Sequence, residues 1–418
     1  MSRKEARLLS ALALSLVSTA AWAGTQPLGL KINVSTCTTY TCSESSPAVA
    51  GAASGAFAVA WEGNSAVDDQ GISGRFYTKT ALPRAVVLVN KDKAADQYDT
   101  AIAADRSGNY VVVWSEVNGN NSDILAQRVN PAGAALGAAI RVSADPATAP
   151  VPPADLEPAV TMTADGGFVV AWIMVIPANG SSPGTLPEVL VRRFNKSGVP
   201  LGAPVKVSTG LVRGTRPDIC VDSSGRAVVA WISVNENVPF KPNKKGVSLR
   251  RLSATNALLG TTIVVAKPLS VDSDLALSCG TASSFVLAWT SDVDPGPVGV
   301  VAQRFDQAAK RVGAVFRVNS DPEGEQTTPA LSHDAAGNFV AVWRTRTIEG
   351  EKIVGRRFLA NGTADGADFT VHERATGEGR PFRPDVAHTG TALGFIVTWQ
   401  EESFAVFAQR YQKTAARR

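Results

Sequence analysis

Seven tryptophans divide this chain into near-equal lengths, and their spacing constrains its fold more than any other feature. Trp61, Trp114, Trp172, Trp231, Trp289, Trp343 and Trp399 follow one another at intervals of 53, 58, 59, 58, 54 and 56 residues. Internal repeats with a period near 50 residues are the mark of propellers and solenoids. Four residues before each Trp stand Phe57, Tyr110, Phe168, Ala227, Phe285, Phe339 and Phe395. On a strand, that residue and the Trp share one face. The positions between them, such as Val111 and Val113, are apolar as well. A strand apolar on both faces must be covered on both, as when sheets stack around a ring.

Each repeat spells four strands, in the third Pro158–Met162, Phe168–Trp172, Val189–Phe194 and Pro204–Ser208. The first turn carries Gly108, Gly166, Gly225 or Gly337, often after Asp105, Asp222 or Asp334; Gly and Asp suit a tight turn with positive φ. The third strand carries Arg75, Arg128, Arg193, Arg251, Arg304, Arg357 or Arg410, with Gln127, Gln303, Gln409 or a second Arg before it. A functional group is needed once per site, a packing device once per repeat. These arginines are therefore read as structural, stacked on aromatics or bonded to carbonyls between repeats.

The chain ends point to a ring. Residues 27–35 match a fourth strand that no earlier strand precedes, and the last repeat stops at Tyr411 without one. The expected fold is all-β, a seven-bladed propeller of four-stranded blades. Residues 29–35 should close it by pairing beside the strand around Gln409, removing an exposed sheet edge.

The first 23 residues read as a signal peptide. Arg3, Lys4 and Arg7 precede an apolar stretch from Leu8 to Leu16, and Ala21-Trp22-Ala23 forms a cleavage site. Residues 24–418 are then a single propeller domain, secreted or periplasmic. No later stretch reaches about 18 consecutive apolar residues, so no membrane insertion is expected. A net charge of +4 on 418 residues is too weak to argue for a nucleic-acid partner.

The Trp and Gln-Arg-Phe pattern resembles the repeats of large bacterial secreted and cell-surface propeller proteins, over essentially the whole mature chain. That resemblance implies the fold and leaves the function open. Such proteins often carry Gly-Gly-x-Gly-x-Asp calcium repeats, and this sequence has none. Asp292-Val-Asp294 and the 118–123 segment could offer oxygens to Ca²⁺, but neither has a full ligand spacing. They read as turns, and no cofactor is expected.

One face should carry the short turns and the other the long, irregular connections 62–74, 143–157, 173–188, 232–247 and 372–383. Variation confined to one face suggests a binding face for a protein or glycan. Arg344, Arg346, Arg380 and Arg383 supply a basic group there, with Glu349, Glu401 and Glu402. His333, His372 and His388 are the only histidines, and they fit no nucleophile or zinc motif. No catalytic residue is assigned. The expected function is an exported, non-catalytic binding or scaffold propeller. The alternatives are a sialidase-like, glycan-cleaving enzyme with its site at the central channel, or a structural envelope component. Sialidase-like propellers carry S-x-D-x-G-x-x-W turns, which are absent here.

Four cysteines complete the reading. Cys37 and Cys42 share a loop and can bridge locally. Cys220 and Cys279 lie eleven and ten residues before their respective Trp, on opposite faces of equivalent first strands. They can meet between repeats four and five, as a disulfide or as two buried thiols.

Overall fold

A computed structural model describes residues 25–35, 44–65, 68–91, 95–119, 121–144, 152–176, 187–208, 212–235, 244–269, 274–280, 284–292, 298–374, 379–390, 394–402 and 405–413. Among them every helix or strand is a strand, and the sheets are built from antiparallel hairpins in chain order. The signal segment and the Cys37–Cys42 pair lie outside the described residues.

The tryptophan strands form where the repeat places them. Phe57–Ser65, Tyr110–Asn118, Phe168–Val175, Ala227–Asn235, Phe285–Ser291, Phe339–Arg346 and Gly394–Glu401 each pair with a first strand on one side and a third strand on the other. All seven Trp are buried, and so are the residues between Trp and aromatic. Apolar clusters form between consecutive repeats, as where Val111 and Val113 meet Phe168 and Trp172. One such cluster joins the chain ends, bringing Val34, Val49 and Trp61 against Ile396 and Val406.

The repeated Arg is the packing device that its multiplicity suggested. Arg128 donates to Ser197 O at 3.0 Å, Arg193 to Gly225 O at 3.0 Å, and Arg251 to Gln307 O at 2.9 Å. Each acceptor lies on a turn of the following repeat. Arg410 makes the same contact across the chain ends, to Lys79 O at 3.0 Å. The preceding Gln pins the fourth strand: Gln127 donates to Gly137 O, Gln303 to Gly313 O and Gln409 to Gly29 O, at 3.2–3.3 Å. Gly29, Gly137 and Gly313 share φ values of 82°, 85° and 75°, which suit glycine.

The N-terminal segment is thus built as a fourth strand. Thr25–Pro27 pairs with residues 411–413, and Ile32–Asn33 with Ala408 and Phe407. The Ser35 hydroxyl accepts the Val406 amide at 3.2 Å, as Ser143 accepts Ile124 and Ser208 accepts Val189. Among the described residues pairing begins at Thr25, four residues before the expected start.

Two expectations need adjusting. The connections 62–74 and 232–247 are strand at both ends, because the hairpins Phe57–Ser65/Asp68–Tyr77 and Ala227–Asn235/Lys244–Leu252 extend beyond the Trp. Most fourth strands, in contrast, are two residues long, as in Val205–Lys206, whereas Leu258–Leu269 has twelve. Cys220 and Cys279 form a disulfide with Cα atoms 5.5 Å apart, bridging the first strands of repeats four and five.

Candidate functional site

The first strands surround a cavity of ≈ 570 Å³, lined by Ala48, Ala101, Ala159, Asp218, Ala330 and Asp385 among others. Just above these residues most of the first strands carry a register shift. At each shift a non-glycine residue takes φ near +50°: Ser46, Asp99, Glu157, Arg216, Thr328 and Arg383. Bulges re-aim side chains, and a left-handed non-glycine residue carries a strain that the surrounding structure must hold. The corresponding residue of repeat five is Asp274, two before Ala276 as Ser46 is two before Ala48. Together they define a polar ring at the mouth of the cavity, on the face of the long connections.

The ring is held together by its own side chains. The residue after Trp61, Glu62, accepts the Asp99 amide at 2.8 Å, and Gln400, after Trp399, accepts the Ser46 amide at 3.2 Å. Glu157 accepts the Arg216 amide at 2.6 Å, and Arg216 pairs with Asp274. Glu62 also takes the Ser45 and Ser46 hydroxyls at 2.6 Å each. Arg383 donates to the Ser46 hydroxyl and stands 3.9 Å from Glu62. Burial first, then the charges of Glu62 and Glu157, push the Asp99 carboxyl above its usual range, against the pull of Arg383. A carboxyl pushed toward its protonated form thus sits beside a carboxylate fixed by three hydrogen bonds.

The expected basic group is divided between two places. Arg344 and Arg346 converge on Glu351, at 2.9 and 3.6 Å, and Arg380 stands 3.9 Å from the same carboxylate. Arg380 also pairs with Glu402 at 3.3 Å. Arg383 instead belongs to the ring. Glu401 is buried, where it takes the Trp399 indole N–H at 3.2 Å and lies 3.4 Å from Lys31 and 3.2 Å from His372. Glu349 is exposed on its turn, its amide donating to Thr347. The 118–123 segment is a hairpin end, where Asp123 accepts from Arg141 and Ser143 at 3.0 Å. His333 and His388 pack beside Phe339 and Phe395, and burial lowers them to about 3 and about 4. Both are neutral at pH 7. Glu62, Asp99, Glu157, Arg216, Asp274 and Glu351 were not singled out from the sequence.

No protein-family model matches this chain, and no curated protein does. Solved structures do match. A protein of unknown function from Dyadobacter fermentans superposes with a TM-score of 0.50 at 12% identity, covering 79% of this chain and 98% of its own. The α-L-arabinofuranosidase of Fusarium graminearum, in complex with arabinobiose, gives 0.51 at 8% identity, covering 93% of this chain and 98% of the enzyme. The same enzyme with an iminosugar inhibitor gives 0.51 at 9%, covering 76% and 93%. At such identities the likeness establishes an all-β, propeller-type fold. It also corrects the expectation of a non-catalytic scaffold, because a solved propeller spanning nearly all of this chain is a glycan-cleaving enzyme.

Proposed function

We propose that this protein is an exported glycoside hydrolase whose site is the polar ring at the cavity mouth. The carrying observation is the pairing of Asp99, whose carboxyl burial and the charges of Glu62 and Glu157 push above its usual range, with Glu62, whose carboxylate is fixed by Ser45, Ser46 and the Asp99 amide. Glycosidic cleavage calls for this division of labour between two carboxyl groups. Asp99 donates its proton to the leaving glycosidic oxygen. Glu62 faces the positive charge that develops on the sugar ring. Arg383 and Arg216, both exposed at the ring, hold sugar hydroxyls or substituents.

The frame proposed for this site is one closed ring of seven blades, formed by residues 24–418 after removal of residues 1–23. It is supported by the Arg410–Lys79 and Gln409–Gly29 contacts, which repeat between the chain ends the links made between successive repeats. The arabinofuranosidase likeness names the first substrates to try. Purified protein should hydrolyse an aryl α-L-arabinofuranoside or arabino-oligosaccharides, or another member of an aryl-glycoside panel. Asp99→Asn and Glu62→Gln should each lower kcat at least about 1,000-fold without changing the melting temperature. Absence of turnover across the panel, or variants as active as the parent, would refute the assignment.

A further inference from the structure

We infer that Arg346 and Arg380, gathered with Arg344 on the buried carboxylate of Glu351, form an anion subsite beside the polar ring, so that the glycan taken there carries an acidic substituent. The inference rests on the reading of the cavity mouth as a glycan site and specifies which glycans enter it. The shared chemistry is a carboxylate or sulfate oxygen, from a uronic acid or a sulfate ester.

Glu351 opens the third strand of repeat six, Glu351–Phe358, directly opposite Arg346. Its side chain is 5% exposed. A buried carboxylate needs a cation and good hydrogen bonds, and Arg344 supplies both. Its Nε donates to Oε2 at 2.9 Å, and its Nη2 donates to the same oxygen. Two further guanidiniums stand near the other oxygen, Arg346 at 3.6 Å and Arg380 at 3.9 Å from Oε1. Both distances exceed a hydrogen bond, and the two side chains are 59% and 48% exposed. Among the described residues no other carboxylate pairs with Arg346, and Arg380 has only the exposed Glu402, 3.3 Å from its Nε. Holding Glu351 therefore accounts for Arg344 and leaves two guanidiniums over. Three like charges crowded on one carboxylate repel one another. A second anion relieves that repulsion, and spare guanidinium N–H groups match its oxygens.

The cluster overlooks the ring. Arg344 lies opposite Thr327, next to the ring residue Thr328. Arg380 stands three residues before the ring residue Arg383, about 10 Å along the chain. Arg383 in turn donates to the Ser46 hydroxyl and stands 3.9 Å from Glu62. Repeats six and seven thus give the mouth a cationic sector, while Glu62, Asp99 and Glu157 give repeats one to three an acidic one. Such a field draws an oppositely charged group toward each side. A glycan whose scissile bond lies over Asp99 and Glu62 can extend an acidic group to Arg380 and Arg346. The reverse placement sets that group against three carboxyls.

An array of neutral, uronate-bearing and sulfated oligosaccharides, probed with Asp99→Asn so that turnover does not consume the ligand, should show binding to acidic glycans only. Which acidic class binds decides between carboxylate and sulfate. In titration calorimetry of the tightest acidic ligand, Arg346→Ala and Arg380→Ala should each raise the dissociation constant at least about 10-fold. Their melting temperatures should not change, because Arg344 still holds Glu351. The carboxyl-reduced or desulfated form of that ligand should bind more weakly and ignore both substitutions. Neutral glycans bound as tightly as acidic ones would overturn the inference, as would an array on which no acidic glycan binds. So would an acidic ligand that binds the Arg346→Ala/Arg380→Ala double variant as it binds the parent. An acidic ligand held through these arginines but never cleaved by the wild type would sink the hydrolase reading and leave the subsite standing.

Discussion

Asp99 shows how much a single backbone position decides. It takes a left-handed φ of 56° and lies two residues before the cavity-lining Ala101, where burial and two neighbouring acids favour the protonated form of its carboxyl. If this group delivers the proton, activity must fail on the alkaline side as Asp99 ionises. The alkaline limb of kcat/KM should therefore lie above the ordinary carboxylate range near 4. Removing the opposing cation, as in Arg383→Ala, should move that limb further upward. A limb that stays put in Arg383→Ala would separate it from Asp99. At the same scale, Arg193 is buried and bonded to Asn256 Oδ1 at 3.1 Å and Gly225 O at 3.0 Å. Arg193→Ala leaves those acceptors without a donor and should cost roughly 2–4 kcal/mol, read from urea midpoints. The repeated Arg was legible in the sequence because it recurs. The ring residues themselves differ from repeat to repeat, so no recurring side chain points to them.

The first strand is the element where pattern and chemistry part. Five repeats place Ala at the cavity-lining position after the bulge, and two place Asp218 and Asp385. Those carboxylates reach across a seam: Asp218 accepts the Leu277 amide at 2.7 Å and Asp385 the Val49 amide at 2.8 Å. Burial raises both to about 6, against the pull of these amides. The unfolded groups titrate near 3.9, so between pH 4 and 6 the native state holds more protons than the unfolded one. Their favourable contribution is complete below pH 4 and is lost as pH rises through 6. Each shift corresponds to about 3 kcal/mol, discounted to roughly 1–2 because both side chains border the water-accessible cavity. Asp385→Ala should flatten the fall in urea stability between pH 4 and 7 by that amount; an unchanged slope would assign it elsewhere. The ring position does leave a trace in the sequence, since Ser46-Pro47, Glu157-Pro158, Arg216-Pro217, Thr328-Pro329 and Arg383-Pro384 each stand before Ala or Asp and an apolar residue. Strand periodicity passes over this trace, because a bulge shifts the register by one residue and breaks the alternation on which the reading relies. The long connections were over-drawn for a related reason. A polar hairpin end such as Glu62–Ser65 pairs its backbone as well as an apolar one does, and composition alone does not show where pairing stops.

At the scale of the molecule, the N-terminal strand carries a load out of proportion to its length. Residues 25–35 hold the outer edge of Ala405–Lys413 through two short pairings, the Gln409–Gly29 bond and the Ser35 hydroxyl. Val34 is fully buried in the cluster that also contains Trp61 and Ile396. Deleting residues 25–35 removes that side chain and leaves the last strand without its neighbour. The seam between the last and first repeats then rests on contacts such as Arg410–Lys79 and Asp385–Val49. In an open array the end repeats are each covered on one side only, and unfolding starts there. The deletion should therefore lower the melting temperature by 10 °C or more, well beyond the effect of losing eleven surface residues, and hydrogen exchange should rise first in residues 44–65 and 394–413. The disulfide marks a different seam and serves as the control. Cys220→Ser with Cys279→Ser releases a 59-residue loop and should cost about 4 kcal/mol, with exchange rising around repeats four and five instead. If the truncated protein melts where the full chain does, or if its exchange rises evenly over all repeats, the N-terminal strand is an appendage and the proposed ring closure is wrong.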